Sequence, residues 1–174
     1  MHARIIEVAG TLFARRGIDG VSIAEVALAA GVSKANVMHH FGSKDRLYAA
    51  CLDVIDAHLH RAVDDASAGT APIADLRSAL SAWAQSHPDD LRIMAYGLLR
   101  LPDRDGRWSL ADPVHRMVAL VASTGMTSSA ATDVVVDLLG VVTYREMARP
   151  LVDNEVAASE FDTNQPTHVR QELP

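Results

Sequence analysis

Apolar residues recur along the chain every three or four positions. Ile5, Ile6, Ala9, Leu12 and Phe13 form a first helical stripe, and Gly17 sits where a glycine stops a helix. Ser22 and Glu25 stand in S-x-x-E spacing, which lets each side chain bond the other's backbone amide at a helix start. Ile23, Val26, Ala27 and Ala30 then give an apolar face before Gly31. Ser33 is placed to cap a third helix ending near Phe41. Ser43 is placed to cap a fourth, carrying Leu47, Cys51, Val54, Ile55 and Leu59 to about Ala66. After a linker, SAGTAP, Pro72 opens a helix with Ile73, Leu76, Leu80 and Trp83, and Pro88 opens another that ends near Leu101. LPDRDGRWS, Leu101 to Ser109, reads as a polar loop. Asp112 and Pro113 begin a helix through Val114, Met117, Val118 and Val121 that stops at Gly125, and a last helix spans about Ser128 to Arg149. Strand-like alternation and internal repeats are missing, so the pattern predicts an all-α chain of about eight helices.

The second and third helices are separated by a turn built on Gly31, the layout of a helix-turn-helix. Ala27, Gly31 and Val37 fall where that motif needs a small residue for a close crossing, a turn glycine and a buried branched residue. With Val37 turned inward, a rotation of about 100° per residue puts Phe41 and His40 on the inner side and Ala35, Asn36, Met38 and His39 outside. His40 is therefore expected to be packed and His39 to be an exposed donor. Adjacent helical positions diverge and do not share a metal readily; His58 and His60, two apart, make an equally poor pair. The exposed face of Lys34, Ala35, Asn36 and His39, with Ser33 and the free amides of the helix start, suits DNA. Amides and lysine bind phosphate, and asparagine can pair with adenine. A solvated polar face is the plainer alternative.

The run from IIEVAGTLF through HHFGSKDRLYAACL, about residues 4 to 52, resembles the DNA-binding domain of the tetracycline-repressor (TetR) family. LFARRG, IAEVALAAGVSKANV and HHFGSKDRL carry the resemblance. It implies an N-terminal three-helix helix-turn-helix domain (residues 1–45) joined by a long fourth helix to a C-terminal helical ligand-binding and dimerisation domain (46–150). A polar tail (151–174) follows, with the composition of a mobile segment, in which LVDNEVAASEF can form one short helix. The resemblance also implies that Ser22, Ser33, Lys34, Ala35, Asn36, Met38, His39 and Lys44 line DNA, the later ones mostly on phosphates. Met38 departs from the aromatic residue, often tyrosine, that the family carries there, so a hydroxyl contact to phosphate is lost. The chain begins almost at the first helix, which leaves no basic arm for the minor groove; specificity is expected to rest on the recognition helix and on operator shape.

Beyond residue 67 no family motif is present and patterning carries the reading. The last helix is apolar nearly all round, through Val134, Val135, Val136, Leu138, Leu139, Val141 and Val142, and must be buried on more than one side. One side is expected to pack on its own domain. The other, through Val134, Val135, Leu138, Val141, Val142 and Arg145, would meet the same helix of a second subunit, with Gly140 allowing close approach; a central helix inside a monomer would leave the same pattern. A two-fold dimer reads paired half-sites about 34 Å or a multiple apart, which predicts a homodimer on a palindromic operator. Trp83, Met94, Tyr96, Leu98, Met117, Val121 and Tyr144 are candidates for an effector pocket, with His115 and His87 as polar handles. Ordinary core packing, and a surface or capping role for the histidines, explain them as well.

Charge and composition narrow the classes. The chain of 174 residues has a net charge of −6, divided as +2 over residues 1–50 and −8 over 51–174, so a polyanion would be met by the first fifty residues. A single cysteine, Cys51, excludes an internal disulfide and reads as a buried structural thiol. No basic leader precedes an apolar run and no stretch reaches the ~18 apolar residues of a membrane span, so a cytoplasmic protein is expected. HExxH, CxxC, Gly-rich phosphate loops and serine elbows are missing; an enzyme, a cofactor and a metal site are not expected. The expected function is a ligand-responsive regulator, most simply a repressor, released from double-stranded DNA by a small apolar effector. Its competitor is a ligand-binding or scaffold dimer of the same fold that has lost specific DNA binding.

Overall fold

A computed structural model of the chain describes residues 1–99 and 110–163, with side chains through residue 97 and from 110 to 155. Within them eight α-helices follow one another: α1 His2–Arg16, α2 Ile23–Ala30, α3 Lys34–Phe41, α4 Lys44–Ser67, α5 Pro72–Ser86, α6 Pro88–Leu99, α7 Ala111–Ala122 and α8 Ser128–Thr163. No strand occurs among the described residues, which is the all-α architecture expected from the periodicity. The loop expected at 101–109 lies outside the described residues.

Local chemistry sets most of these boundaries. Ser22 Oγ accepts from the Glu25 amide at 3.2 Å, and Glu25 Oε2 accepts from the Ser22 amide at 2.8 Å, completing the expected capping box. Ser33 and Ser43 cap α3 and α4 in the same way, accepting from Asn36 N at 3.1 Å and Arg46 N at 3.2 Å. Gly31 ends α2 at φ 71°, ψ 34°, a left-handed conformation costly for any residue with a Cβ. Pro72 is the first residue of α5 and Pro88 that of α6, where the missing N–H costs nothing.

One boundary differs from expectation. The last helix does not stop at Arg149: α8 runs on to Thr163, and LVDNEVAASEF is its continuation, not a separate helix. Pro150 lies inside it and cannot donate to the Glu146 carbonyl, so one rung is lost while the helix persists. One contiguous core runs through α4 from the first three helices into the later ones.

That core explains how the head is held. α1 packs on α2, on α4 and extensively on α6, so it belongs to the helix-turn-helix and to the body at once. Phe13 of α1, fully buried, meets Tyr48 of α4 edge-on with ring centres 5.5 Å apart. The Tyr48 hydroxyl donates to the Ile93 carbonyl of α6 at 2.9 Å, and Gly97 one turn on leaves room for it. Leu47, Ile55, Leu59 and Val63 extend the buried face of α4 toward Leu76 and Leu80 of α5. Lower down, Arg116 of α7 donates to Asp64 Oδ1 at 2.6 Å and to His60 Nδ1 at 2.7 Å. The opposite ring nitrogen of His60 faces Asp112 Oδ2 at 3.2 Å and Asp56 Oδ2 at 3.4 Å. An arginine can only donate, so His60 Nδ1 carries the lone pair and Nε2 the proton.

Two outcomes follow for stability. Phe13→Ala should lower the unfolding free energy by about 3–5 kcal/mol, and Tyr48→Phe, which keeps the ring but removes the bond to α6, by about 1 kcal/mol, both read from urea midpoints. Glu25 is held well below the carboxylate range, to about 2 from 4.5, first by the Arg16 guanidinium at 2.8 Å and then by the Ser22 amide and hydroxyl. A depressed folded pKa stabilises above the unfolded value and is lost as pH falls through the folded one. The Tm difference between the protein and Glu25→Gln should thus be fully present above about pH 4.5 and close between there and pH 2.

Candidate nucleic-acid interface

α3 is presented by the two helices behind it. Val37, fully buried, and Phe41 turn inward where α3 packs on α2 and where His2 of α1 meets Phe41, so its opposite side faces solvent. Ala27 is small enough for the crossing, and its carbonyl accepts from Val32 N at 2.9 Å across the Gly31 turn. Ser33, Lys34, Ala35, Met38 and His39 are exposed on that free side, and Ser22 is exposed at the start of α2. Lys44 is half-buried at the first position of α4. Ser33 and Lys34 stand at the N-terminus of α3, Met38 and His39 in its last turn and Lys44 just beyond it: a surface that offers cations, hydroxyls, an imidazole and the dipole of a helix start to phosphate.

Two expectations for this helix need correction. His40 is exposed, not packed: Phe41 fills the core position beneath the last turn, and the His40 ring lies edge-on to His2 of α1 with centres 5.8 Å apart. His2 itself stacks on Phe41 at 4.7 Å. Asn36 is half-buried, and its Oδ1 is buried without a hydrogen-bond partner, so this amide oxygen does not face outward as pairing with adenine requires. Arg46 was missed by spacing. Its guanidinium lies beside Gly42 in the α3–α4 turn, exposed, close in sequence to Lys44; the signal available was its place two residues after a lysine in a capped first turn.

The candidates for an effector pocket do not converge. Met117 and Val121 are fully buried in the general core, and Trp83 is buried against α6, its indole donating to Asp90 Oδ2 at 3.3 Å. Tyr96 is partly exposed and covers Gly17; His115 is exposed on α7; the Leu98 side chain lies outside the described residues. Met94 and Tyr144 do share a cleft of about 680 Å³, lined almost wholly by apolar groups of α6, α7 and α8, including Val114, Val136, Leu139 and Met147. His87, proposed as a handle, lies instead at the end of α5 with Nδ1 3.1 Å from the Trp83 carbonyl.

The face of α8 that remains open also differs from the one expected. Val135 and Val142 point into the core and are buried; Val134 and Leu138 are half-buried, while Val141 and Arg145 are exposed. The outward row is Val136, Gly140, Tyr144, Met147 and Leu151, with Val136 60% and Tyr144 76% exposed. Uniform apolarity hid which of the stripes faces inward, since periodicity cannot choose among equivalent sides. Cys51 is buried as expected; burial, with Asp90 and Asp53 nearby, pushes its thiol up to about 12, and it donates weakly to the Ile6 carbonyl at 3.6 Å. No helix among the described residues is long and apolar enough to cross a membrane.

Comparison with known proteins agrees with this geometry. Residues 5–51 match the family model described as bacterial regulatory proteins, tetR family. The HTH-type transcriptional regulatory protein RaaS of Mycobacterium tuberculosis is 54% identical over 54 residues, which are 31% of this chain and 25% of that protein. The chain thus matches only about a quarter of the length of this curated relative. Among solved structures, the TetR family transcriptional regulator PfmR of Thermus thermophilus superposes with a TM-score of 0.66 at 24% identity, over 84% of this chain and 88% of that one. The multidrug binding protein EbrR, solved with imidazole, gives 0.67 at 22% identity over 98% of both chains. The likeness to the tetR family model is thus confined to residues 5–51, and the chain as a whole shares its fold with these solved structures.

Proposed function

We propose that the protein is a ligand-responsive transcriptional regulator, acting most simply as a repressor, that binds a palindromic operator as a homodimer. One observation carries this reading: α3 presents a capped N-terminus and an exposed face of Ser33, Lys34, Ala35, Met38 and His39, braced from behind by α2. Ser22, Lys44 and, in addition, Arg46 flank that face and fall where phosphates would pass. Asn36 would have to turn its amide outward to read a base, and with Met38 in place of a hydroxyl-bearing ring, apolar contact replaces one phosphate bond. Binding to DNA implies work in the cytoplasm, beside the chromosome.

The dimer in this reading forms through α8. Val136, Gly140, Tyr144, Met147 and Leu151 give an apolar row that water would otherwise cover, and Gly140 has no neighbour within 4 Å of where a Cβ would stand, leaving space for a second helix. The apolar cleft beside this row, with Met94 and Tyr144 in its wall, suits a small apolar effector. Because α4 and α6 both pack on α1, an effector that binds one arrangement of the body better than another shifts the spacing of the two recognition helices. An effector with equal affinity for both arrangements would shift nothing.

DNA fragments upstream of the gene, titrated at several salt concentrations, test the DNA reading. Lys34→Ala should weaken binding on all sequences alike and lower the slope of log K against log salt by about 1. A protein that binds its upstream DNA no better than random DNA would instead be the scaffold dimer that has lost specific DNA binding. Light scattering tests the assembly: the unaltered chain should be a dimer at micromolar concentration, and Val136→Asp should give a folded monomer with unchanged helical circular dichroism.

A further inference from the structure

Away from the recognition helix and α8, three side chains meet whose sequence spacing gave no warning. His58 projects from the middle of α4, His87 ends α5 and Asp90 lies in the first turn of α6. One ring nitrogen of each histidine and a carboxylate oxygen of Asp90 lie within 4.8 Å of one another, and all three residues are half-buried. His58 Nδ1 is 2.7 Å from Asp90 Oδ2, and the two imidazole rings are centred 4.2 Å apart at 38°.

We propose that His58, His87 and Asp90 bind one divalent transition-metal ion of the zinc class, reversing the expectation of no metal site. Two imidazoles and a carboxylate form a donor set that zinc or cobalt accepts, with water in the remaining position. The surroundings steady two of these donors, and the ion would take the place of the proton that His58 Nδ1 shares with the Asp90 carboxylate. The Trp83 carbonyl can only accept, so His87 Nδ1 carries the proton and its Nε2 lone pair is free; the Trp83 indole donates to Asp90 Oδ2 and steadies the carboxylate. The cluster also has a way in, since His58 and His87 line both a cleft of about 480 Å³ on the α4–α5 side and one of about 610 Å³ bounded by His2, Ile6 and Cys51.

A neighbouring histidine shows what disqualifies a cluster. His60 also faces two carboxylates, but the Arg116 guanidinium fills its Nδ1 lone pair and brings a positive charge to the place an ion would need. No cation stands in that relation to His58 or His87 in any ion pair among the described residues. An ion at the triad would join α4 to the α5–α6 corner, three elements far apart in sequence, so its binding energy would oppose unfolding. This site does not depend on the DNA-binding reading.

The full chain, stripped with chelator, is titrated with Zn²⁺ by calorimetry and with Co²⁺ by visible absorption at neutral pH. One ion per chain should bind, with Co²⁺ ligand-field bands, and Zn²⁺ should raise the Tm. His58→Gln, His87→Gln and Asp90→Asn, chosen to keep side-chain volume and checked for native circular dichroism, should each weaken binding about 10-fold or more. His115→Ala, which removes an exposed histidine on α7 that lines neither cleft, should leave it unchanged. No stoichiometric binding to the unaltered chain, or unchanged binding in any of the three folded triad variants, overturns the proposal.

Discussion

The packing of α1 between α4 and α6 is the constraint on which the rest of the molecule depends. A three-helix head of this size has little apolar surface to bury by itself, and here it shares its core with the body. Phe13 gives that shared core its largest wholly buried side chain, and Tyr48 gives it direction, since its hydroxyl must meet one carbonyl on α6. Dispersion holds the helices together at many angles, whereas a hydrogen bond from a buried hydroxyl selects one. α3, which touches the body hardly at all, inherits its orientation through α2 and, behind it, α1.

The parts of the fold that were legible in the sequence are those decided by neighbours in the chain. Ser22 with Glu25, Ser33, Ser43, Gly31, Pro72 and Pro88 each act within four residues of themselves, and each stands at the boundary assigned to it. Pro150 shows the limit of the same logic: a proline forbids one hydrogen bond, but a helix already anchored on α5, α6 and α7 tolerates the loss.

The candidate sites were legible only in part, for a different reason. Exposure of Lys34, Ala35, Met38 and His39 follows from one helical wheel and one buried anchor, Val37. His40 escaped that wheel because Phe41 and the incoming His2 settle who occupies the end of the core. In α8, where Val135 and Val136 are chemically alike, only the positions of α5 and α7 decide that one is inside and the other outside. His58, His87 and Asp90 belong to three helices, so their meeting is a property of packing and leaves no spacing to find.

Pro150 has one more consequence, for the way α8 comes apart. A helix melts as a unit only as far as its ladder of bonds is unbroken, and here the rung to Glu146 is absent. The stretch from 128 to 149 is fastened by Ala131, Val135 and Val142 in the core, while Pro150, Leu151 and Val152 beyond it are exposed. The far end of α8 can therefore fray and re-form without drawing on the stability of the near end. Amide protons on the two sides of the proline would then exchange with solvent on separate clocks, the inner ones at the pace of global unfolding and the outer ones far faster.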